Sequence, residues 1–134
     1  MRWMLDTNAC IRYLNGRAPH LQRRLDATKA GDVCICSVVK AELFYGSARS
    51  ANPAQSRAIQ AQLISGMKCL PFDDSCVDQY AVIRCALAKA GTPIGPIDTL
   101  IAAIAVTHGV ILVTHNTSEF SRVAGLSIED WEIP

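Results

Sequence analysis

The fold is decided by Met1-Arg2-Trp3-Met4-Leu5-Asp6-Thr7-Asn8, a short apolar run that ends abruptly on a carboxylate. Trp3 to Leu5 is predicted to be a buried strand, and a helix is predicted to follow from Thr7 to Asn15. An ionised carboxylate tolerates apolar neighbours only when a cation or hydrogen-bond donors compensate its charge. Asp6 is therefore either a helix cap or part of a charged site at the end of the strand.

The rest of the chain continues this alternation of strands and helices. Further strands are predicted at 33–36, 68–71, 110–114 and 127–129, and further helices at 20–29, 37–48 with Ser37 as its cap, 54–66, 75–90 and 97–108. Continuous apolar strands are typical of a parallel sheet that is covered on both faces. The predicted fold is α/β, a three-layer sandwich with a mainly parallel sheet of four to five strands flanked by helices. At this length we expect one domain over residues 1–134.

Composition excludes several classes of protein. Half of the residues are hydrophobic and 19% are charged, which argues against global disorder. No apolar run approaches the roughly 18–20 residues that span a bilayer, and Asp6 interrupts the first run too early for a signal peptide. We therefore expect a cytoplasmic protein without a membrane segment. The six cysteines lie scattered in apolar segments, with no CxxC pair, and we expect them to be reduced.

Charge is unevenly distributed along the chain although the formal net charge is only +1. Residues 1–60 hold nine Lys and Arg against four acids, whereas residues 61–134 hold four against eight. Such an asymmetry is compatible with a basic side that faces nucleic acid. It is equally compatible with charged side chains that merely solvate helices.

Three more acids, Glu42, Asp98 and Glu119, also have apolar neighbours. The functional crevice of an open α/β sheet lies at the C-terminal ends of its strands, where Asp6 and Thr114 are predicted. Converging carboxylates raise each other's pKa values unless a cation compensates them. Mg²⁺ and Mn²⁺ prefer such oxygen ligands, and they can activate water against a phosphodiester. The pattern therefore predicts metal-dependent phosphoryl-transfer chemistry, and no Gly-rich phosphate loop, HExxH or GxSxG motif competes with it.

Taken in order, these acidic segments resemble the PIN-domain ribonucleases, specifically the VapC-type toxins of bacterial type II toxin–antitoxin pairs. The matching segments are Met4-Leu5-Asp6-Thr7-Asn8, Ser37-Val38-Val39-Lys40-Ala41-Glu42-Leu43 with Gly46, Ile97-Asp98-Thr99-Leu100-Ile101-Ala102-Ala103, and Leu112-Val113-Thr114-His115-Asn116-Thr117-Ser118-Glu119-Phe120, followed by Gly125-Leu126 and Glu129-Asp130-Trp131. The resemblance covers nearly the whole chain. Each motif alone is weak, but four acidic motifs in the same order are specific.

The resemblance implies a Rossmann-like sheet in which Asp6, Glu42 and Asp98 hold Mg²⁺ or Mn²⁺. It also implies endonucleolytic cleavage of RNA by metal-activated water, leaving a 5′-phosphate and a 3′-hydroxyl. A small cognate VapB-type antitoxin would inhibit the enzyme, and we expect a homodimer within a higher toxin–antitoxin assembly.

The resemblance also assigns supporting residues around the acids. Thr7, Asn8 and Thr114 would steady the carboxylates or the metal-bound waters. Many PIN domains carry an Asp two residues after the Thr that Thr114 matches, but this chain has Asn116 there. Some VapC-type toxins share that Asn and have a Glu three residues later, so Glu119 is assigned as the fourth acid. Which of Asn116 and Glu119 fills the fourth position is left open by the sequence.

Two alternatives and several peripheral residues remain to be weighed. A haloacid-dehalogenase-type phosphatase needs a second Asp where this chain has Asn8. A PIN-fold RNA-binding module without catalysis is kept open by Asn116. Arg12, Lys40 and His115 are candidate RNA contacts; His115 has no evident partner and is assigned to the rim of the site. The sequence does not identify the RNA that is cut.

Overall fold

The computed structural model describes residues 1–134 and contains five strands. They are β1 Trp3–Leu5, β2 Val33–Cys36, β3 Lys68–Leu70, β4 Ile111–Val113 and β5 Ile128–Glu129. All neighbouring strands pair in parallel, in the spatial order β3-β2-β1-β4-β5. The predicted α/β architecture is confirmed, and its sheet is entirely rather than mainly parallel.

Seven α-helices connect and cover the strands. They are α1 Thr7–Asn15, α2 Pro19–Asp26, α3 Ser37–Ala48, α4 Pro53–Ile64, α5 Asp74–Lys89, α6 Pro96–His108 and α7 Thr117–Phe120. None of them combines the length and the hydropathy that a membrane crossing requires. The short helix α7 was not among the predicted elements.

Two helix boundaries differ from the sequence prediction. The predicted helix 20–29 ends at Asp26, because the Thr28 hydroxyl donates to the Arg24 carbonyl at 2.7 Å and a 3₁₀ turn follows at Ala30–Asp32. Ser37 is the first residue of α3 rather than its cap, and Cys36 occupies the cap position without a side-chain bond. Both errors concern local hydrogen bonding and leave the order of elements unchanged.

The chain order places a crevice beside β1. From β1 the chain proceeds to β2 and β3 on one side, and it then returns to β4 and β5 on the other. Leu5 of β1 pairs with Val113 of β4, and the Asp6 N–H donates to the Val113 carbonyl at 3.1 Å. In open α/β sheets such a reversal of strand order opens a crevice at the C-terminal strand ends. Asp6 and Thr114 thus lie side by side at this point.

The core is continuous from the sheet into α6. All four residues of β2 are buried, and in α6 the five consecutive residues Ile101–Ala105 are buried as well. The middle of α6 is thus buried on all sides, which places this helix in the interior of the fold. None of the six cysteines forms a disulfide, and only Cys85 is exposed.

The C-terminal segment is anchored by Trp131, which is 2% exposed. Its indole packs edge-on against Trp3 with ring centroids 5.5 Å apart, and the Arg24 guanidinium lies 4.7 Å from its ring centroid. The indole N–H donates to Glu129 at 3.0 Å. These contacts fix the last residues of the chain against Trp3 of the central strand β1.

We expect Trp131→Ala to destabilise the fold by about 3 kcal/mol, because it removes a buried aromatic side chain and leaves a cavity. Urea denaturation followed by far-UV circular dichroism measures the change. Ile133→Ala is the matched control: its side chain is 58% exposed, so its effect should stay within about 0.5 kcal/mol. Equal stabilities of the Trp131→Ala variant and the parent chain would contradict this account of the anchor.

Candidate metal centre

Four predicted acids lie around the crevice at the ends of β1 and β4. Asp6 follows β1 directly, Glu42 is the sixth residue of α3, Asp98 is the third residue of α6, and Glu119 is in α7. Asp6 is buried and the other three are half-buried. Electrostatic coupling of Asp98 with Asp6, Glu42 and Glu119 shows that all four belong to one neighbourhood.

Asp6 is both a helix cap and a member of the acidic group. Its Oδ1 accepts the Ala9 N–H at 2.7 Å, which satisfies one of the free donors at the start of α1. The two roles proposed from the sequence therefore coexist in one side chain. The cap fixes the carboxylate rotamer at the strand end.

Burial raises the pKa of Asp6 to about 6 from an ordinary value of 3.8, and the carboxylates of Asp98 and Glu132 add to the rise. The Thr114 hydroxyl and the Ala9 N–H act in the opposite direction, since they stabilise the charged form. Thr114 is 1% exposed and also accepts the Asn116 N–H at 3.0 Å. The loop after β4 is thereby tied to Asp6.

Asp98 is placed by the first turn of α6. Gly95 precedes the helix, Pro96 opens it, and the Thr99 hydroxyl donates to the Gly95 carbonyl at 2.9 Å. Burial raises the pKa of Asp98, and the nearby carboxylates of Glu119 and Glu42 raise it further. These surroundings destabilise the charged form of Asp98, and a nearby positive charge would stabilise it.

Asn116 and Glu119 are directly connected. The Asn116 side-chain amide donates to Glu119 Oε2 at 2.9 Å. Glu119 in turn lies beside Asp98, where its carboxylate contributes to the raised pKa. The Asn116 amide therefore holds the Glu119 side chain, and Glu119 is the acid that α7 brings next to Asp98.

The four acids provide carboxylate oxygens of the kind that a hard cation binds, but they do not surround a single point. Three salt bridges occur in the structure, and none of them involves Asp6, Glu42, Asp98 or Glu119. No three Asp, Glu, His or Cys side chains converge closely enough to hold an ion. Carboxylate oxygens are the ligands that Mg²⁺ and Mn²⁺ prefer.

The predicted peripheral residues separate into two groups. Arg12, His115, Asn8 and Asn116 share one open groove, whereas Lys40 lies elsewhere, 5.7 Å from the Phe44 ring centroid. The open groove, which we call the α1 groove, has a volume of about 620 Å³ and is lined by Asn8, Ile11, Arg12, Asn15, Arg17, His115, Asn116 and Glu132. Thr7, the half-buried first residue of α1, is not among its lining residues.

Sequence reasoning missed two residues that organise the groove. His115 has a partner after all: its Nδ1 lies 2.9 Å from Asp130 Oδ2. Glu132 accepts the Arg12 Nε–H across 120 positions of sequence. Neither pair has a local signal, because the partners lie 15 and 120 positions apart in the sequence.

The raised pKa of Asp6 predicts how the metal-free protein responds to pH. The folded state binds the Asp6 proton more tightly than the unfolded chain does, so the associated stability is complete below about pH 4 and is lost as pH rises through 6. In EDTA at about pH 7.5, Asp6→Asn should raise the free energy of unfolding by roughly 2 kcal/mol. The gain should fade at about pH 4. Urea denaturation at both pH values measures it.

Asp73→Asn is the control of opposite sign for that experiment. Hydrogen bonds from the Ser75 hydroxyl and N–H lower the pKa of Asp73, so its charge stabilises the fold above its ordinary pKa. Its substitution should lower stability near neutral pH, and the loss should disappear as the pH falls. A less stable Asp6→Asn variant near neutral pH would contradict the assigned burial of charge.

Comparison with known proteins identifies the family. Residues 3–126 match the PIN domain family. The chain is 37% identical over 131 residues to the tRNA(fMet)-specific endonuclease VapC of Salmonella typhimurium, with 98% of each chain covered. It is 38% identical to the protein of the same name from Shigella flexneri, with the same coverage.

Solved structures agree with this match. DNA-bound VapBC from Salmonella typhimurium superimposes with a TM-score of 0.91 at 37% identity and covers 98% of both chains. VapBC2 from Rickettsia felis, bound to a promoter DNA fragment, gives 0.90 at 32% identity and covers 98% of this chain and 99% of that one. The resemblance seen in the acidic motifs is confirmed over nearly the full length. The chain belongs to the PIN-domain family and, within it, to the VapC group.

Proposed function

We propose that the chain is a divalent-metal-dependent endoribonuclease that acts as the toxin of a type II toxin–antitoxin pair. The observation that carries the proposal is the gathering of Asp6, Glu42, Asp98 and Glu119 at the strand-order reversal, with no basic side chain paired to any of them. Four half-buried or buried acids without a counter-charge are costly unless a cation is their ligand.

Some residues of the site would bind the cation, and others would hold those ligands in position. Asp6 and Asp98 are the primary ligands of Mg²⁺ or Mn²⁺, and Glu42 binds the cation directly or through water. Thr114 and Ala9 hold Asp6 in place, and Thr7 and Asn8 flank it at the start of α1. The bound cation supplies activated water and neutralises charge on the phosphodiester.

The non-catalytic alternative is disfavoured by the same residues. A PIN-fold RNA-binding module has no need to keep Asp6 buried with a raised pKa, yet the structure keeps it so together with Asp98 and Glu119. Asn116, which left this alternative open, here positions Glu119 instead of removing an acid from the site. The first RNA to assay is tRNA(fMet), because the Salmonella and Shigella relatives are named for its cleavage.

The partner that we propose is a VapB-type antitoxin, since the matching structures are VapBC assemblies and two of them hold DNA. Exposed apolar side chains on α3 and α4, namely Tyr45 and Ile59, offer a surface for it. A homodimer and a higher toxin–antitoxin assembly stay predictions. We infer action in the cytoplasm, where RNA and an antitoxin are both at hand.

We expect Asp6→Asn and Asp98→Asn each to lower Mg²⁺-dependent cleavage of tRNA(fMet) by more than about 100-fold, because loss of a supporting residue alone typically costs about 10–100-fold. Growth arrest on expression should be lost in parallel. Asp78→Asn, an exposed acid on α5, is the control and should cleave like the parent chain. Full cleavage by both site variants would overturn the proposal, and RNA binding without cleavage by the parent chain would favour the binding module.

The fourth ligand position can be assigned by metal affinity. Glu119→Gln should weaken Mn²⁺ binding about tenfold in isothermal titration calorimetry, and Asn116→Ala should weaken it less, because Asn116 acts through Glu119. Ser118→Ala, on the exposed side of the same helix, is the control. The reverse order, with Asn116→Ala the more damaging, would show that the amide oxygen itself is the ligand.

A further inference from the structure

The α1 groove adjoins the four acids and is almost wholly polar. Seven of its eight lining residues are polar, and its volume of about 620 Å³ is in the range of ligand sites. Asn8 lies two residues after Asp6, and Asn116 donates to Glu119, so two wall residues of the groove are attached to the acidic centre. The groove therefore lies next to the acidic centre, although none of the four acids is among its lining residues.

Arg12 is held with one edge of its guanidinium turned away from the protein. Its Nε–H donates to Glu132, and its Nη2 donates to the Arg17 carbonyl at 3.3 Å. A guanidinium has five N–H donors, so three have no partner in the chain. The Glu132 side chain is 8% exposed and that of Arg12 is 38% exposed. The acid is thus the buried anchor, and the arginine fork is the surface that a ligand meets.

Two further cationic or donor groups line the same groove. The Arg17 side chain is exposed, and its guanidinium makes no hydrogen bond or ion pair within the chain. His115 binds Asp130 through Nδ1, which leaves Nε2 free. The groove therefore has two arginines with open donors, an oriented imidazole and the side-chain amides of its walls.

We propose that the α1 groove binds the sugar–phosphate backbone of the RNA nucleotides next to the cut bond, and that Glu132 is a positioning residue that presents the Arg12 fork to a phosphate. The inference rests on the proposed nuclease function. A planar arginine fork matches two phosphate oxygens, and a buried carboxylate behind it removes the need to order a flexible side chain on binding. The amides and His115 suit sugar hydroxyls and phosphate oxygens, without requiring one base sequence.

RNA binding can be measured without cleavage. A short, unstructured, fluorescein-labelled RNA is titrated with the full chain in EDTA, and fluorescence anisotropy gives the Kd at several salt concentrations. Arg12→Ala and Arg17→Ala should each raise the Kd about tenfold and lower the slope of log Kd against log salt by about 0.7, the value for one lost phosphate contact on a single strand. Arg23→Ala, an exposed arginine of α2 outside the groove, makes the same charge change and should alter neither quantity comparably.

Substitution of Glu132 separates an orienting role from a purely electrostatic role, because the two roles predict opposite changes in RNA affinity. Glu132→Ala removes a negative charge, so a purely electrostatic role predicts tighter RNA binding. We expect weaker binding by several-fold, because Arg12 loses its anchor. Glu132→Gln keeps an acceptor for the Arg12 Nε–H and should restore the parent affinity or exceed it. Thermal unfolding of each variant verifies that the fold is retained. Arg17→Ala, which removes no hydrogen bond or ion pair of a side chain, tests the groove even if Glu132→Ala does not fold.

The outcomes separate this inference from the proposed function. If the parent chain cleaves RNA but the Arg12, Arg17 and Arg23 variants bind alike, the groove assignment is wrong and the nuclease stands. If Glu132→Ala binds as tightly as Glu132→Gln, the positioning role is wrong. If the parent chain cleaves no RNA with Mg²⁺ or Mn²⁺, the proposed function itself fails. Weaker binding by both groove arginine variants together with rescue by Glu132→Gln supports the inference.

Discussion

The remainder of the fold must accommodate the burial of one carboxylate, Asp6, at the C-terminal end of the central strand. Burial in this position raises its pKa to about 6, and only two hydrogen-bond donors offset the effect. A buried carboxylate with this little compensation opposes folding near neutral pH, and Asp98 and Glu132 add like charge to it. The rest of the fold must therefore supply stability to hold an unfavourable arrangement in place, which is typical of a functional site.

The parallel sheet explains why that arrangement is possible. Parallel strands bring their C-terminal ends to one edge, and the reversal of strand order between β1 and β4 opens this edge to the outside. Asp98 comes from the first turn of a helix whose middle is buried on all sides, so its position is set by an element anchored in the core. The core thus does more than stabilise the chain: it fixes the distances between charges that repel one another.

Much of this organisation could be predicted from the sequence because its signals are local. The run ending at Asp6, the Gly95-Pro96 start of α6 and the continuous apolar strands each fix an element, and the order of elements then fixes the edge where the acids meet. The end of α2 was missed because it involves local hydrogen bonds of the Thr28 hydroxyl and of the backbone around Ala27, which leave no periodic signal in the sequence. Short elements such as α7 have too few residues to show a period.

The sequence could not predict the two side-chain pairs that line or support the α1 groove. The pairing of Arg12 with Glu132 and of His115 with Asp130 depends on the path of the C-terminal segment, which is fixed by packing between Trp131 and Trp3. Contacts between residues far apart in sequence leave no periodic pattern. They are set by the tertiary structure alone, and here they decide which donors the groove presents.

The exchange of an acid for Asn116 is best understood as a redistribution of charge. An Asp at this position would place a carboxylate beside Thr114, whose hydroxyl already interacts with the buried Asp6, and like charges at such short range repel strongly in a low-dielectric site. The amide instead donates to Glu119, so the fourth charge is carried three residues after position 116 and lies next to Asp98. The donor that an Asp would lack is what holds this acid in place. The neutral residue at 116 thus allows the site to keep four acids while it limits the charge that the end of β1 must bury.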